Sequence, residues 1–242
     1  MADLITTATA KDEADRNAPV ALLPVGSFEQ HGNYLPLATD TIVASVIAQQ
    51  LAQQYRAFVL PPVTISCSHE HAAWRGTVSI SARTLHGVVT DIAESLVASG
   101  VGRLVLVSGH GGNYVLGNIA QEASVSGPRI AVFPQGEEWH QARSDAELET
   151  DGHEDMHAGE LETSILLAFC PEVVRPGNET ADWTATDRPH LLTLGIAGYT
   201  KTGVIGRPSL GSAAKGAAVV ESLVRTFAPV YAILTQQPGS DG

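Results

Sequence analysis

The chain has 242 residues, which at roughly 150 residues per domain makes one domain, 1–242, the natural reading. Its 44% apolar and 17% charged residues and mean hydropathy of +0.06 supply a core and exclude a disordered chain. A net charge of -12 with no basic stripe excludes nucleic acid as a partner.

The acidic N-terminus, MADLITTATAKDEADRN, lacks the basic and apolar regions of a secretory signal. VALLPVG (20–26) reads as a first strand, after which Thr39 or Asp40 caps a helix with Val43, Ile47 and Leu51 at four-residue spacing. AFVLPPV (57–63), broken by prolines, reads as a second strand and TVSI (77–80) as a short one. Leu85, Val88, Val89, Ile92 and Leu96 recur at helical spacing over 82–99, and Gly100 ends that helix. RLVLVSG (103–109) is then a buried central strand, followed by a glycine-rich turn at 110–113 and a helix of about twelve residues.

RIAVFP (129–134) adds a strand, and the acidic, aperiodic stretch 135–155 reads as a functional loop or lid. A helix opens near His157, and Pro171, Pro176, Gly177 and Pro189 mark an irregular region. The last helix covers 212–236, kinked or divided at Pro229, and the tail after Gln237 is expected to fray. The alternation predicts an α/β sandwich with an at least partly parallel sheet. No apolar run approaches the roughly 20 residues of a bilayer span, so no membrane contact and a cytoplasmic location are expected. Cys67 and Cys170 read as buried thiols.

Three segments concentrate metal- and proton-binding groups where strands end or helices begin: GSFEQHGNYLPLATD (26–40), SGHGGN (108–113) and MHAGELETS (156–164). In open α/β sheets ligands bind outside the carboxyl ends of strands. Glu29 and His31, two apart in an extended stretch, point to one side, whereas Asp40 alone reads as an ordinary helix cap. His110 follows a buried strand and needs partners for its ring nitrogens. His157 and Glu160, three apart, lie on neighbouring helix faces, with Glu162 close by; the plain alternative is a charged first turn. Jointly they form a mixed nitrogen and oxygen set suited to divalent Zn, Mn or Fe, in which one carboxylate can bridge two ions. Such a pair polarises a carbonyl and generates hydroxide near neutral pH, which makes hydrolysis the natural outcome.

These segments resemble the creatininase (creatinine amidohydrolase) family, whose members carry G-S-x-E-Q-H-G-x-H-L-P-L-x-T-D, G-H-G-G-N and H-A-G-x-x-E-T-S. EHAAWRGTVSI (70–80) is similar to the family's E-H-x-x-F-P-G-T-x-S-L, and the order and spacing agree over residues 19–170. The resemblance implies a three-layer α/β/α sandwich with a mostly parallel central sheet and a binuclear centre of two divalent ions per chain. It implies hydrolysis of a C–N bond in a small-molecule amide by a metal-bridging hydroxide, and a homo-oligomer, often a hexamer in creatininase. By position it places Glu29, Asp40 and His110 on one metal and His31, Asp40 and Glu160 on the other. His157 then transfers protons, and Glu162 is a nearby orienting carboxylate.

Creatininase itself reads GHYEN in the second segment, with the glutamate a ligand, where this chain has Gly112. Tyr34 replaces the second histidine of the first stretch, Trp74-Arg75 replaces Phe-Pro, and Gly136 and His153 stand near creatininase's tryptophan positions. These departures point away from creatinine, and the acidic 135–155 stretch suggests a polar or cationic amide. A mycofactocin-precursor-peptidase-like activity on a short peptide is the alternative substrate reading, and a non-catalytic metal-binding protein the alternative class. A Cys67 nucleophile with His69 or His71 ranks lower, and G-x-S-x-G and G-x-G-x-x-G are both absent.

Overall fold

The computed structural model describes residues 6–127 and 129–236, so the tail beyond Gln237 lies outside the described residues. In chain order the regular elements are α1 (Ala10–Arg16), β1 (Val20–Val25), α2 (Thr39–Gln54), β2 (Ala57–Val59), α3 (Ala82–Ala98), β3 (Leu104–Ser108) and α4 (Val115–Ala123). There follow β4 (Ile130–Phe133), α5 (Gly136–Asp145), α6 (Glu160–Phe169), α7 (Leu191–Leu194), α8 (Ala213–Thr226) and α9 (Ala228–Thr235).

The strands form one parallel sheet in the order β2-β1-β3-β4. All six residues of β1 are buried, as expected of a strand covered on both faces. Val20 and Leu22 point into a core shared with α2, α6 and α8, and Ala21, Leu23 and Val25 into a second core shared with α3 and α4. Helices on both faces of the sheet make the three-layer α/β/α sandwich. Chain order reverses between β1 and β3, and such a switch point opens a crevice at the strands' carboxyl ends. Val25 and Ser108, the last residues of these two strands, are paired there.

The first turn of α2 rests on this crevice. A Cβ added at Gly26 would lie 2.3 Å from the Thr41 backbone nitrogen, and one at Gly109 would lie 2.2 Å from the Asp40 carbonyl oxygen. Only glycine at the exits of β1 and β3 lets α2 seat this closely.

Several sequence expectations are corrected locally. TVSI is extended but unpaired as a strand, because Val78 and Ile80 donate to the Phe28 and Ser66 carbonyls of separate segments. The 135–155 stretch contains α5, whose Gln135–Glu138 capping box supplies the start signal that apolar periodicity lacks. Helix α1 likewise begins with a capping box, Thr9 and Asp12. The final helix divides beside Pro229 as expected, with Phe227 between α8 and α9. Its span, Ala213–Thr235, is long and apolar enough to cross a bilayer by length and composition alone. Val219, Val220 and Leu223 of this segment are nevertheless buried in the core with α2 and α6.

Candidate metal centre

The crevice collects four carboxylates and four imidazoles: Glu29 beyond β1 with His31, Asp40 on α2, Glu70 and His71 in a tight turn, His110 beyond β3, His157, and Glu162 on α6. The sequence reading had Asp40 as a possible cap. The cap position is Ala38, and the Asp40 side chain instead turns inward. Its Oδ1 lies 3.1 Å from His31 Nε2 and its Oδ2 3.1 Å from His110 Nδ1, so one carboxylate joins two histidines. Ser27 Oγ donates to the same Oδ2.

Each of these histidines has its other nitrogen facing a carbonyl, which only accepts. His31 Nδ1 lies 3.1 Å from the Glu29 carbonyl oxygen and His110 Nε2 2.8 Å from that of Cys67. Such backbone contacts are how metal-binding histidines are commonly oriented. Burial disfavours the charged form of both rings, yet Asp40 with Glu162 around His31, and Glu29 with Asp40 around His110, outweigh it and hold both pKa values well above the ordinary one. Burial also opposes the Asp40 carboxylate, but His31 and His110 hold its pKa well below the usual range.

Glu29 has the opposite balance. Burial, followed by the Asp40 charge, pushes its carboxyl up to about 8. Its oxygens lie 3.1 Å from His71 Nε2 and 3.3 Å from His110 Nε2, yet neither accepts a well-directed hydrogen bond. A fully buried carboxylate with both oxygens short of partners is costly unless something further binds it.

His157 is wedged between His31 and His71, at ring-centroid distances of 4.2 and 4.3 Å. Its Nε2 lies 2.6 Å from the Gln30 carbonyl oxygen and must carry a hydrogen, leaving the Nδ1 lone pair 3.8 Å from Glu29 Oε1. Burial first, and then the neighbouring His31, pushes its pKa down to about 4, so the ring is neutral at pH 7.

One expected ligand lies apart from the others. Glu160 does not join the cluster: its carboxylate accepts from Thr150 Oγ1 at 2.7 Å and pairs with Lys215 Nζ at 2.5 Å. Two residues on a helix are roughly 200° apart, so Glu160 and Glu162 face opposite ways at the start of α6. Glu162 faces the centre, with Oε1 3.8 Å from His31 Nε2, while its Oε2 accepts from the Ala158 amide at 2.6 Å. It therefore takes the position expected of Glu160. Glu29, His31, Asp40, His110 and His157 converge as the sequence reading expects.

Glu70 and His71 belong to the centre but were not among the expected ligands. Their signal was the dense His69-Glu70-His71 run, whose Glu70 and His71 open the EHAAWRGTVSI stretch that resembles the family but were given no metal-binding role there. The Cys67 thiol itself is pushed up by burial, which disfavours a nucleophilic thiolate. Glu70 also explains Gly112: a Cβ there would stand 2.1 Å from Glu70 Oε1 and 2.4 Å from His110 Nε2. The Glu70 carboxylate occupies the space of a side chain at 112.

Three overlapping groups bring ligand atoms within 4.8 Å of one another: Glu29, His31 and His157; Glu29, Glu70 and His110; and His31, Asp40 and Glu162. The donor set fits divalent cations on charge as well as on type. Among the described residues, the ion-pair partners of these four carboxylates are all histidines. Two divalent ions would balance four carboxylates with the histidines neutral.

Two cavities flank the centre and meet at Tyr114. One, of about 610 Å³, is walled by His110, Trp139, Arg143, Asp155 and Glu162; the other, of about 430 Å³, by Glu70, Tyr114, Val115, Leu192 and Leu194. The acidic 135–155 stretch does not make the first cavity uniformly acidic. Asp155 pairs with Arg143, Asp145 with Arg225, and Glu149 with Lys215.

Comparison with known proteins finds creatininase-family likeness over nearly the whole chain. The creatininase family model, described as creatinine amidohydrolase, matches residues 4–231. A mycofactocin precursor peptide peptidase of Mycobacterium ulcerans is 34% identical over 236 residues, covering 93% of this chain and 88% of that protein. The creatinine amidohydrolase of Pseudomonas putida is 25% identical over 86% of this chain and 87% of its own. A solved mutant creatininase of Zn-Zn type superposes with a TM-score of 0.78 at 25% identity, covering 93% of this chain and 95% of that one.

Proposed function

The chain belongs to the creatininase family of hydrolases, and from that premise we propose that it cleaves the C–N bond of an amide with two divalent metal ions at the crevice. The observation that carries this reading is Asp40, one buried carboxylate joining His31 and His110 in a site whose carboxylates have, among the described residues, histidines as their ion-pair partners. Glu29 and His110 with Asp40 would hold one ion, and His31 and Glu162 with Asp40 the other. Zinc is the first choice for this donor set, with manganese or iron next. When bound, such ions supply Lewis acidity, polarising an amide carbonyl and acidifying water near neutral pH.

The chain's own groups manage the proton. The neutral His157 turns its Nδ1 lone pair to the centre, so it takes a proton from the attacking water there and returns it to the departing nitrogen. The Gln30 carbonyl holds Nε2–H throughout and keeps the ring from turning. Glu162, fixed by the Ala158 amide, stays with His31.

Two cavities that adjoin the centre and share Tyr114 suit an extended amide better than a compact ring. A short or modified peptide is the narrower reading, favoured by the likeness to the mycofactocin peptidase; a small linear amide or lactam remains the broader one. We also infer a cytoplasmic location and a homo-oligomer such as a hexamer, the oligomer to be checked by light scattering. The primary test is elemental analysis followed by turnover of short peptides, linear amides and creatinine by zinc- or manganese-loaded protein. Near two ions per chain and turnover of an amide support the reading. Binding of metal with no turnover across the panel would favour a non-catalytic metal-binding protein.

A further inference from the structure

A further buried polar group beside the centre is the side chain of Gln30, a residue 5% exposed. Its orientation is set by two backbone groups of opposite kind. Oε1 accepts from the Gly32 amide at 3.0 Å, and Nε2 donates to the Gly203 carbonyl at 3.0 Å. An amide flip would set a carbonyl against a carbonyl and an N–H against an N–H, so the donor end is fixed.

That same Nε2 lies 3.0 Å from His71 Nδ1. Because Nε2 brings a hydrogen, Nδ1 must accept it, and the hydrogen of the neutral His71 ring resides on Nε2. This is the nitrogen 3.1 Å from Glu29 Oε1. A metal ligand needs a lone pair at that nitrogen, and His71 has none there. The approach to Glu29 is off-line for an ideal hydrogen bond in this structure. Hydrogen bonds at catalytic sites are commonly loose before ligands bind.

We propose that Gln30 fixes His71 as a hydrogen donor to the ligand Glu29, so that His71 positions a metal ligand without being one. The inference rests on the reading of Glu29 as a ligand. Gln30 thereby presets two rings in opposite senses. Its side chain leaves His71 with an N–H toward Glu29, while its backbone carbonyl leaves His157 with a lone pair toward the same oxygen. Gly203 belongs to the arrangement: it has φ +87°, and a Cβ there would stand 1.7 Å from Gln30 Oε1.

The direct test is a long-range ¹H–¹⁵N spectrum of the histidine rings, metal-free and zinc-loaded. Hydrogen on His71 Nε2 in both states is expected. Hydrogen on Nδ1, or a zinc-coordinated Nε2, overturns the proposal. Gln30→Glu replaces the donor by an acceptor and should move the His71 hydrogen to Nδ1; an unmoved hydrogen also overturns it.

Zinc affinity by chelator competition gives an independent readout. His71→Phe should weaken binding by about 10- to 100-fold while still reaching wild-type metal content at saturation. His71→Gln, which keeps an N–H donor, should recover most of that loss. Unchanged affinity in His71→Phe, or loss of a whole zinc equivalent at saturation, contradicts the positioning role. If wild-type protein binds no zinc, the functional reading fails, whereas the metal-free spectrum still decides the His71 hydrogen on its own.

Discussion

At the scale of single residues, the pair Glu160 and Glu162 separates stability from chemistry. Glu162→Gln should lower metal content by removing a carboxylate beside His31. Glu160→Gln should leave metal content intact and cost roughly 1.5–3 kcal/mol in a denaturant melt, because a buried charge-assisted contact with Lys215 is lost. His157→Ala should keep its metal and lose about 10²- to 10⁴-fold in kcat, and unchanged turnover would contradict proton transfer through that ring. Only part of this was legible in the sequence. Glu29, His31 and His110 announced themselves by type and by position after apolar strands. Asp40 at a helix start was indistinguishable from a cap until His31 and His110 were placed around it. The choice between Glu160 and Glu162 turned on the exact first residue of α6, and a shift of two positions reverses the face presented.

At the scale of elements, the start of α6 and the seat of α2 control the site. The Glu160 pKa is lowered: burial would raise it, but the Lys215 and Thr150 hydrogen bonds outweigh that. A lowered carboxylate pKa contributes stability that is present above the unfolded value, near 4.5, and is lost as pH falls through the folded value. Thermal melts below pH 4.5 should therefore show a shallower acid loss in Glu160→Gln than in wild type, and equal slopes would count against the coupling. Gly109→Ala tests the second element. Its methyl meets the Asp40 carbonyl, so about 1–3 kcal/mol of overpacking and weaker metal binding are expected together. The principal strands and helices were legible because apolar periodicity marks them, whereas α5 was hidden by its polarity and signalled only by Gln135 and Glu138.

At the scale of the whole molecule, the proposed metal binding couples to the fold. A cation that binds only the native chain raises its melting temperature with concentration, so chelator treatment should lower it and zinc should restore it. Because the surrounding carboxylates raise the pKa values of His31 and His110, loading should release protons, and apparent affinity should fall as pH falls. Calorimetry in buffers of different ionisation enthalpy measures that release. The parallel sheet and its two covered faces were legible from alternating strands and helices. The cavities were not, because their walls join α5 to the turn beyond β3 and α7 to the His69-Glu70-His71 turn, contacts that no local pattern carries. The centre also draws on segments far apart in the chain, from Glu29 to Glu162. During synthesis a ribosome-bound chain that has passed His110 but not Glu162 has Glu29, Asp40 and His110 but lacks the last carboxylate. The complete donor set is thus confined to a chain whose α6 has emerged and docked, so the site is one of the last features of the fold to be assembled during synthesis.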